Sequence, residues 1–425
     1  MRFFLAFVSL LSATLVFSQV DTSYKKRVLE AAEIELFFSY YGQEGQHAAV
    51  TGGVGSQKLT DASSALIVSI PLNADDVLTA EVGISAYTSA SSSNVNPFDG
   101  DADRRASPFS ASSGASRKDE LVHFRPTYTH SSDDRNSVIT AKGSISSEYD
   151  YFSIGSGGGY SHKFNEQNTE ISFSGTVYFD QCNPQYPIEL RDGFFDSRIR
   201  GNGTYTPDFK GFKDTRRNSY ALSLGLSQIL GAKVQGSVFI DAVLQEGLLS
   251  TPFQRVYFED TENFFVEGFQ LADDVERLPE RRFKLPVGGR VNYYLNDVFV
   301  LRSYYRFYRD DWGVAAHTAN LEVPVKLSDA FTLYPNYRFH TQSAADYFYK
   351  KDVAQSSYKW YTSDYDLSKF NAHQYGLGIR YKDILTKTKI SVFGLKAVDL
   401  RISNYSRSDG LDAFILTLGT TFVGS

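Results

Sequence analysis

From Val298 to Leu321 the chain reads VFVLRSYYRFYRDDWGVAAHTANL. Phe299, Leu301, Tyr305 and Phe307 are apolar, while Arg302, Tyr304, Arg306 and Tyr308 between them are polar or charged. Successive side chains of a strand point to opposite faces, so one face here suits hydrocarbon and the other water. The stretch predicts two strands joined at the charged turn around Asp310 and Asp311. One such hairpin fits any sheet, so the number of repeats decides.

The repeats run through the chain. Leu66, Val68 and Ile70 share a face, as do Leu78, Ala80, Val82 and Ile84. Val122, Phe124 and Tyr128 oppose His123, Arg125 and Thr127; Leu222, Leu224 and Leu226 oppose Ser223 and Ser227. Near the C-terminus Phe414, Leu416, Leu418 and Phe422 share one face. Short turns at 72–76, 131–135, 164–167, 230–232, 295–297, 327–329 and 383–387 alternate with long loops at 91–117, 182–214, 249–280 and 344–370. Short turns at one end and long loops at the other predict an all-β fold: a single antiparallel transmembrane β-barrel with periplasmic turns and extracellular loops. The count comes to about 16 strands, with 14–18 left open by the region 34–55. The alternative is one or two large soluble β-sandwiches, against which the loop asymmetry counts.

Composition supports the barrel. Tyr (28) and Phe (33) are abundant, as in the interfacial girdles of membrane barrels, while Cys and Met occur once each. Cys182 has no partner for an internal disulfide. The opening MRFFLAFVSLLSATLVFS reads as a secretory signal over residues 1–18, cleaved between Ser18 and Gln19. Residues 19–33 form a polar periplasmic lead-in and 34–425 the barrel. The expected location is the outer membrane of a Gram-negative bacterium. A net charge of −6 argues against nucleic acid as a partner.

The inward faces offer Arg282, Lys284, Arg290, Arg302, Tyr304, Arg306, Tyr308, Glu322, Arg338, His340 and Arg380 as lumen or ligand candidates. On consecutive strands they are cross-strand neighbours. They form either a basic wall that attracts anions or an Arg–carboxylate–Tyr network that fills the barrel, with Glu322, Asp310 and Asp311 as partners. Arg309, Asp310, Asp311 and Trp312 crowd the mouth, where they bind a ligand or brace the rim, with Trp312 in the girdle. Asp99, Asp101 and Asp103 alternate in one loop, a spacing that suits Ca²⁺ unless Arg104 and Arg105 neutralise them. The seven histidines form no close pair at metal-ligand spacing, and no nucleophile–base pair stands out.

The stretches AVTGGVGSQKL (49–59), TSASSSN (88–94), SSGASRKDE (112–120), LSTPFQRVYFED (249–260), LPERR (278–282), YYRFYRDDWGVAAHT (304–318) and YPNYRFHTQSAADYFY (334–349) carry a family resemblance. The chain resembles the Gram-negative outer-membrane proteins grouped as domain of unknown function 3570. The resemblance implies a surface barrel and supplies no substrate. It also implies a possible periplasmic thioredoxin-like or flavin-transferase partner. Ser113 to Ser116 resemble the core of a flavin-transferase target, with Ser116 as the FMN acceptor, but Ser110 stands where the usual Asp belongs. No cofactor is expected beyond these Ca²⁺ and FMN alternatives. The expected partners are outer-membrane lipid and the barrel assembly machinery.

The function expected is a channel or transporter with a basic, aromatic-rich lumen, and no enzymatic activity. A non-conducting surface scaffold for an envelope redox system and a barrel enzyme acting on lipid or glycan are the alternatives.

Overall fold

The computed structural model describes residues 27–88 and 118–424. Sixteen long strands follow one another: β1 (Glu33–Glu44), β2 (Leu59–Pro71), β3 (Asp76–Thr88), β4 (Lys118–Ser131), β5 (Ser137–Glu148), β6 (Tyr151–Phe164), β7 (Thr169–Cys182) and β8 (Arg216–Gly231). Then come β9 (Val234–Gly247), β10 (Arg281–Tyr294), β11 (Val300–Asp310), β12 (Ala315–Glu322), β13 (Phe331–Gln342), β14 (Phe370–Lys382), β15 (Phe393–Arg407) and β16 (Asp412–Gly424). Each pairs antiparallel with the next, and β1 pairs with β16 from Glu33↔Val423 to Glu44↔Asp412. The sheet therefore closes on itself and has no edge, which satisfies every ladder within hydrocarbon.

The period-two pattern decides what faces out. Leu222 (54% exposed), Val238, Ile139, Phe173, Val291 and Tyr305 stand on the outer wall. An apolar surface this continuous is costly in water and suited to lipid. Among the described residues no helix is long and apolar enough to cross a membrane. A spanning strand needs about 9–11 residues, and all but β12 reach that. Pro324, with no N–H to give the ladder, cuts β12 short before the pair Val325–Lys326 resumes pairing with β13.

The buried apolar clusters lie outside the wall. Leu190, Tyr257, Ala272 and Val275 form one, Val256, Phe258, Ala354 and Tyr361 a second, and Phe264, Val266, Phe269 and Leu271 a third. They belong to the loops 183–215, 248–280 and 343–369, which together with 45–58 build a cap at the long-loop end. The β1–β2 and β9–β10 loops leave the barrel half a circumference apart, yet Arg255 donates to the Val50 carbonyl at 2.8 Å. The cap therefore reaches across the mouth. Gly52, at φ +71°, makes this contact feasible: a Cβ there would stand 2.6 Å from the Tyr257 ring.

Candidate functional site

Strands β10 to β15 hold most of the predicted lumen residues. Their register sets Arg290, Tyr304, Asn320, Arg338 and Gln374 side by side across β10–β14. The next row towards the short-turn end runs Asn292, Arg302, Glu322, Asn336, Gly376 and Ser403. A row towards the mouth carries Arg306, Thr318 and His340. The first row, the second from Asn292 to Asn336, and Arg306 line a recess of about 630 Å³.

Some arginines have carboxylate partners. Glu322 accepts from Arg302 at 3.0 Å and from Arg401 at 3.1 Å. Arg401 reaches it across two strands because β14 is bare where it passes: a Cβ on Gly378 would lie 3.1 Å from Arg401 Cγ. Arg380 donates to Asp399 at 2.8 Å. Arg282 donates to Asp310 at 2.8 Å, and Tyr308 donates to the same carboxylate at 2.7 Å. On the far wall Glu81 accepts from Arg125 at 3.0 Å and meets His123 at 2.8 Å.

Others have none. Among the described residues Arg290, Arg306 and Arg338 make no ion pair. Arg290 lies over the Tyr304 ring, 5.5 Å from its centroid. The Nε of Arg306 is buried without a hydrogen-bond partner. An enclosed donor left unmatched costs free energy unless something outside the protein meets it. Lys284 is also on the inner face and makes no ion pair among the described residues. His340 shares a hydrogen bond with Thr318 at 2.9 Å.

The mouth cluster divides. Asp310 is enclosed and accepts from the Trp312 and Val314 backbone as well as from Arg282. Asp311 takes no arginine among the described residues and accepts from the Phe283 backbone at 2.9 Å. Arg309 falls on the outer face. Trp312 corrects the girdle expectation: it is 3% exposed, with Arg282 4.3 Å over its ring and Nε1 donating to the Arg281 carbonyl. The turn folds it inward, where Tyr347 of the cap covers it edge-on at 6.2 Å.

The cap holds a site that sequence reasoning missed. Arg255 and Glu189 form a two-pronged ion pair at 2.6 and 3.0 Å, both side chains fully enclosed. With the Val50 contact, it ties three loops together. Burial works against the Arg255 charge, but Glu189 outweighs it and holds the guanidinium above its ordinary range. Glu276, also enclosed, accepts from the Thr362 hydroxyl and so joins the loop 343–369. Burial, then repulsion from Asp364, pushes its carboxyl above the usual glutamate range. Nothing local in LSTPFQRVYFED signals these pairings, because the Arg255 partner lies 66 residues away.

Asp99, Asp101, Asp103, Ser116 and the segment 1–18 lie outside the described residues. A different acidic group, Asp119, Glu148 and Asp150 at the rim, brings three carboxylates within 4.8 Å of one another and offers the donors a cation takes. Among the described residues one serine–histidine contact exists: Ser137 Oγ and His162 Nδ1 are 2.9 Å apart on the outer face at the short-turn end. The other ring nitrogen has no orienting carboxylate among the described residues, so the third member of a catalytic arrangement is missing there.

No curated protein matches the chain. Solved structures with a similar trace include a bacterial polysaccharide outer membrane secretin (TM-score 0.44, 10% identity, covering 94% of this chain and 100% of that one). They also include a BenF-like porin from Pseudomonas fluorescens Pf-5 (0.40, 9%, 93% and 99%). A third is the outer membrane protein opdK from Pseudomonas aeruginosa (0.39, 8%, 92% and 99%). With TM-scores below 0.5 these likenesses say nothing of what this chain carries, and its fold rests on its own strand pairing. One family description matches nearly the whole chain, over residues 4–397, and the protein therefore belongs to the family "Protein of unknown function (DUF3570)".

Proposed function

We propose that this protein is an anion-favouring channel or transporter in the outer membrane of a Gram-negative bacterium, reached by secretion to the periplasm. One observation carries the reading: Arg290, Arg306 and Arg338 line the inner recess with no carboxylate partner among the described residues. Fixed cations on a pore wall lower the cost of an anion and raise that of a cation. The paired arginines do the other job, fixing the wall around them. The long loops face outward and the short turns face the periplasm, as in other barrels of this pattern.

Planar-bilayer recording of the purified protein tests this. Discrete conductance steps are expected; silence across a range of salt concentrations contradicts the channel. The cap favours a second reading, a non-conducting surface scaffold, because loops from opposite sides meet over the mouth. That reading predicts silence in the bilayer together with a partner recovered from cross-linked membranes.

A further inference from the structure

We infer that the row Arg290–Tyr304–Asn320–Arg338–Gln374 recognises a polyhydroxylated carboxylate, the chemical class of the sugar acids. The inference deepens the channel reading and rests on it. Neighbouring strands are about 4.8 Å apart, so three steps put the Arg290 and Arg338 backbones roughly 14 Å from each other. Tyr304 and Asn320 fill the two positions between them, and Gln374 follows Arg338 on the next strand. The row therefore alternates charge with neutral polar groups over the length of a small molecule. The recess it crosses, about 630 Å³, is within the usual size of a small-ligand site.

The chemistry of the row is selective. An arginine fork matches a carboxylate with two parallel hydrogen bonds. Tyr304 holds the Arg290 guanidinium from one side and is itself backed by Phe239, stacked at 5.9 Å and 13°. That bracing reduces the freedom Arg290 loses on binding. The Asn320 and Gln374 carboxamides make no hydrogen bond among the described residues. Each presents two donors and one acceptor. Chloride meets the donors and leaves both amide oxygens unmatched, and phosphate dianion has one hydroxyl to offer the two of them. An alkyl carboxylate engages one arginine and strips water from the amides without replacing it. A hydroxyl both donates and accepts, so a carboxylate carrying several hydroxyls satisfies arginine and amide together. Sites built to bond a hydroxyl reject analogues that lack it.

Calorimetric titration of the detergent-purified full chain with sodium galacturonate, glucose and sodium butyrate tests the assignment, with permeation into liposomes measured separately. Galacturonate is expected to bind, and to bind more tightly than either comparison. The double variant Asn320→Leu/Gln374→Leu should lower the galacturonate-to-butyrate affinity ratio about tenfold, equivalent to about 1.4 kcal/mol for two lost hydrogen bonds. Arg338→Gln should lower the galacturonate-to-glucose ratio. Circular dichroism confirms that each variant keeps its sheet. Equal binding of galacturonate and butyrate, or a double variant with an unchanged ratio, overturns the inference. Binding without any permeation overturns only the channel and leaves the recognition site standing.

Discussion

Glu322 holds two arginines at once, and its neutralisation is the simplest way to ask what the wall's charge does. Glu322→Gln frees Arg302 and Arg401 for the lumen. Anion preference should rise in salt-gradient recordings; a fall would mean that Glu322 is needed to hold Arg302 and Arg401 where anions meet them. The sequence already exposed this layer well. Alternation alone placed Arg302, Arg338 and Glu322 on one face, because a period of two leaves no freedom about side. It did not show which arginines have partners. Arg401 was overlooked: it reaches Glu322 across two strands, and no spacing along the chain encodes such a reach. Trp312 was misplaced for a related reason. Aromatics near a rim usually join the lipid-facing girdle, but here the tight turn and the Arg282 guanidinium draw the indole inward.

At the scale of elements, the strands were legible and the cap was not. Strand positions follow from alternation and turn residues. Cap packing depends on contacts between loops far apart in sequence. The stretches that carry the family resemblance, such as 49–59 and 249–260, meet in it. The cap's weak point is its enclosed charge. Glu189→Ala would leave the Arg255 guanidinium buried and unpaired, a cost of about 3–5 kcal/mol for a buried pair broken on one side. The loops 183–215 and 248–280 should then be cut by protease in intact barrels, while an uncut cap would show that Arg255 finds another partner. The pH dependence follows from Glu276. Its folded-state pKa lies above its unfolded one, so its contribution to cap stability is fully present below the ordinary glutamate value, 4.5. It is lost as the pH rises through the raised value, when a charge forms beside Asp364 with no ion-pair partner among the described residues. Protease resistance of the loops should fall with rising pH, and Glu276→Gln should flatten that slope. A slope unchanged in the variant would place the titration elsewhere in the cap.

The whole molecule combines a rigid closed wall with a cap built like a small soluble core. Sixteen strands leave room for a lumen, as barrels of this size do, and the wall between β10 and β15 concentrates its unpaired positive charge on one side. The cap spans the mouth above it. On the proposed channel reading, traffic along the wall would depend on both parts: the arginines would set which ions are favoured, and the cap how they enter. The chain length and the alternation foretold the barrel; the closure over the mouth required the structure, since only the ring order reveals that the β1–β2 and β9–β10 loops start from opposite sides. The central claim is that unpaired arginines on this wall favour anions. The reversal potential across a potassium chloride gradient measures it directly, in the wild-type protein and in the triple variant Arg290→Gln/Arg306→Gln/Arg338→Gln. The account predicts an anion-selective potential that moves towards the cation side in the variant. A wild-type potential on the cation side, or a variant with the same potential as the wild type, would contradict it.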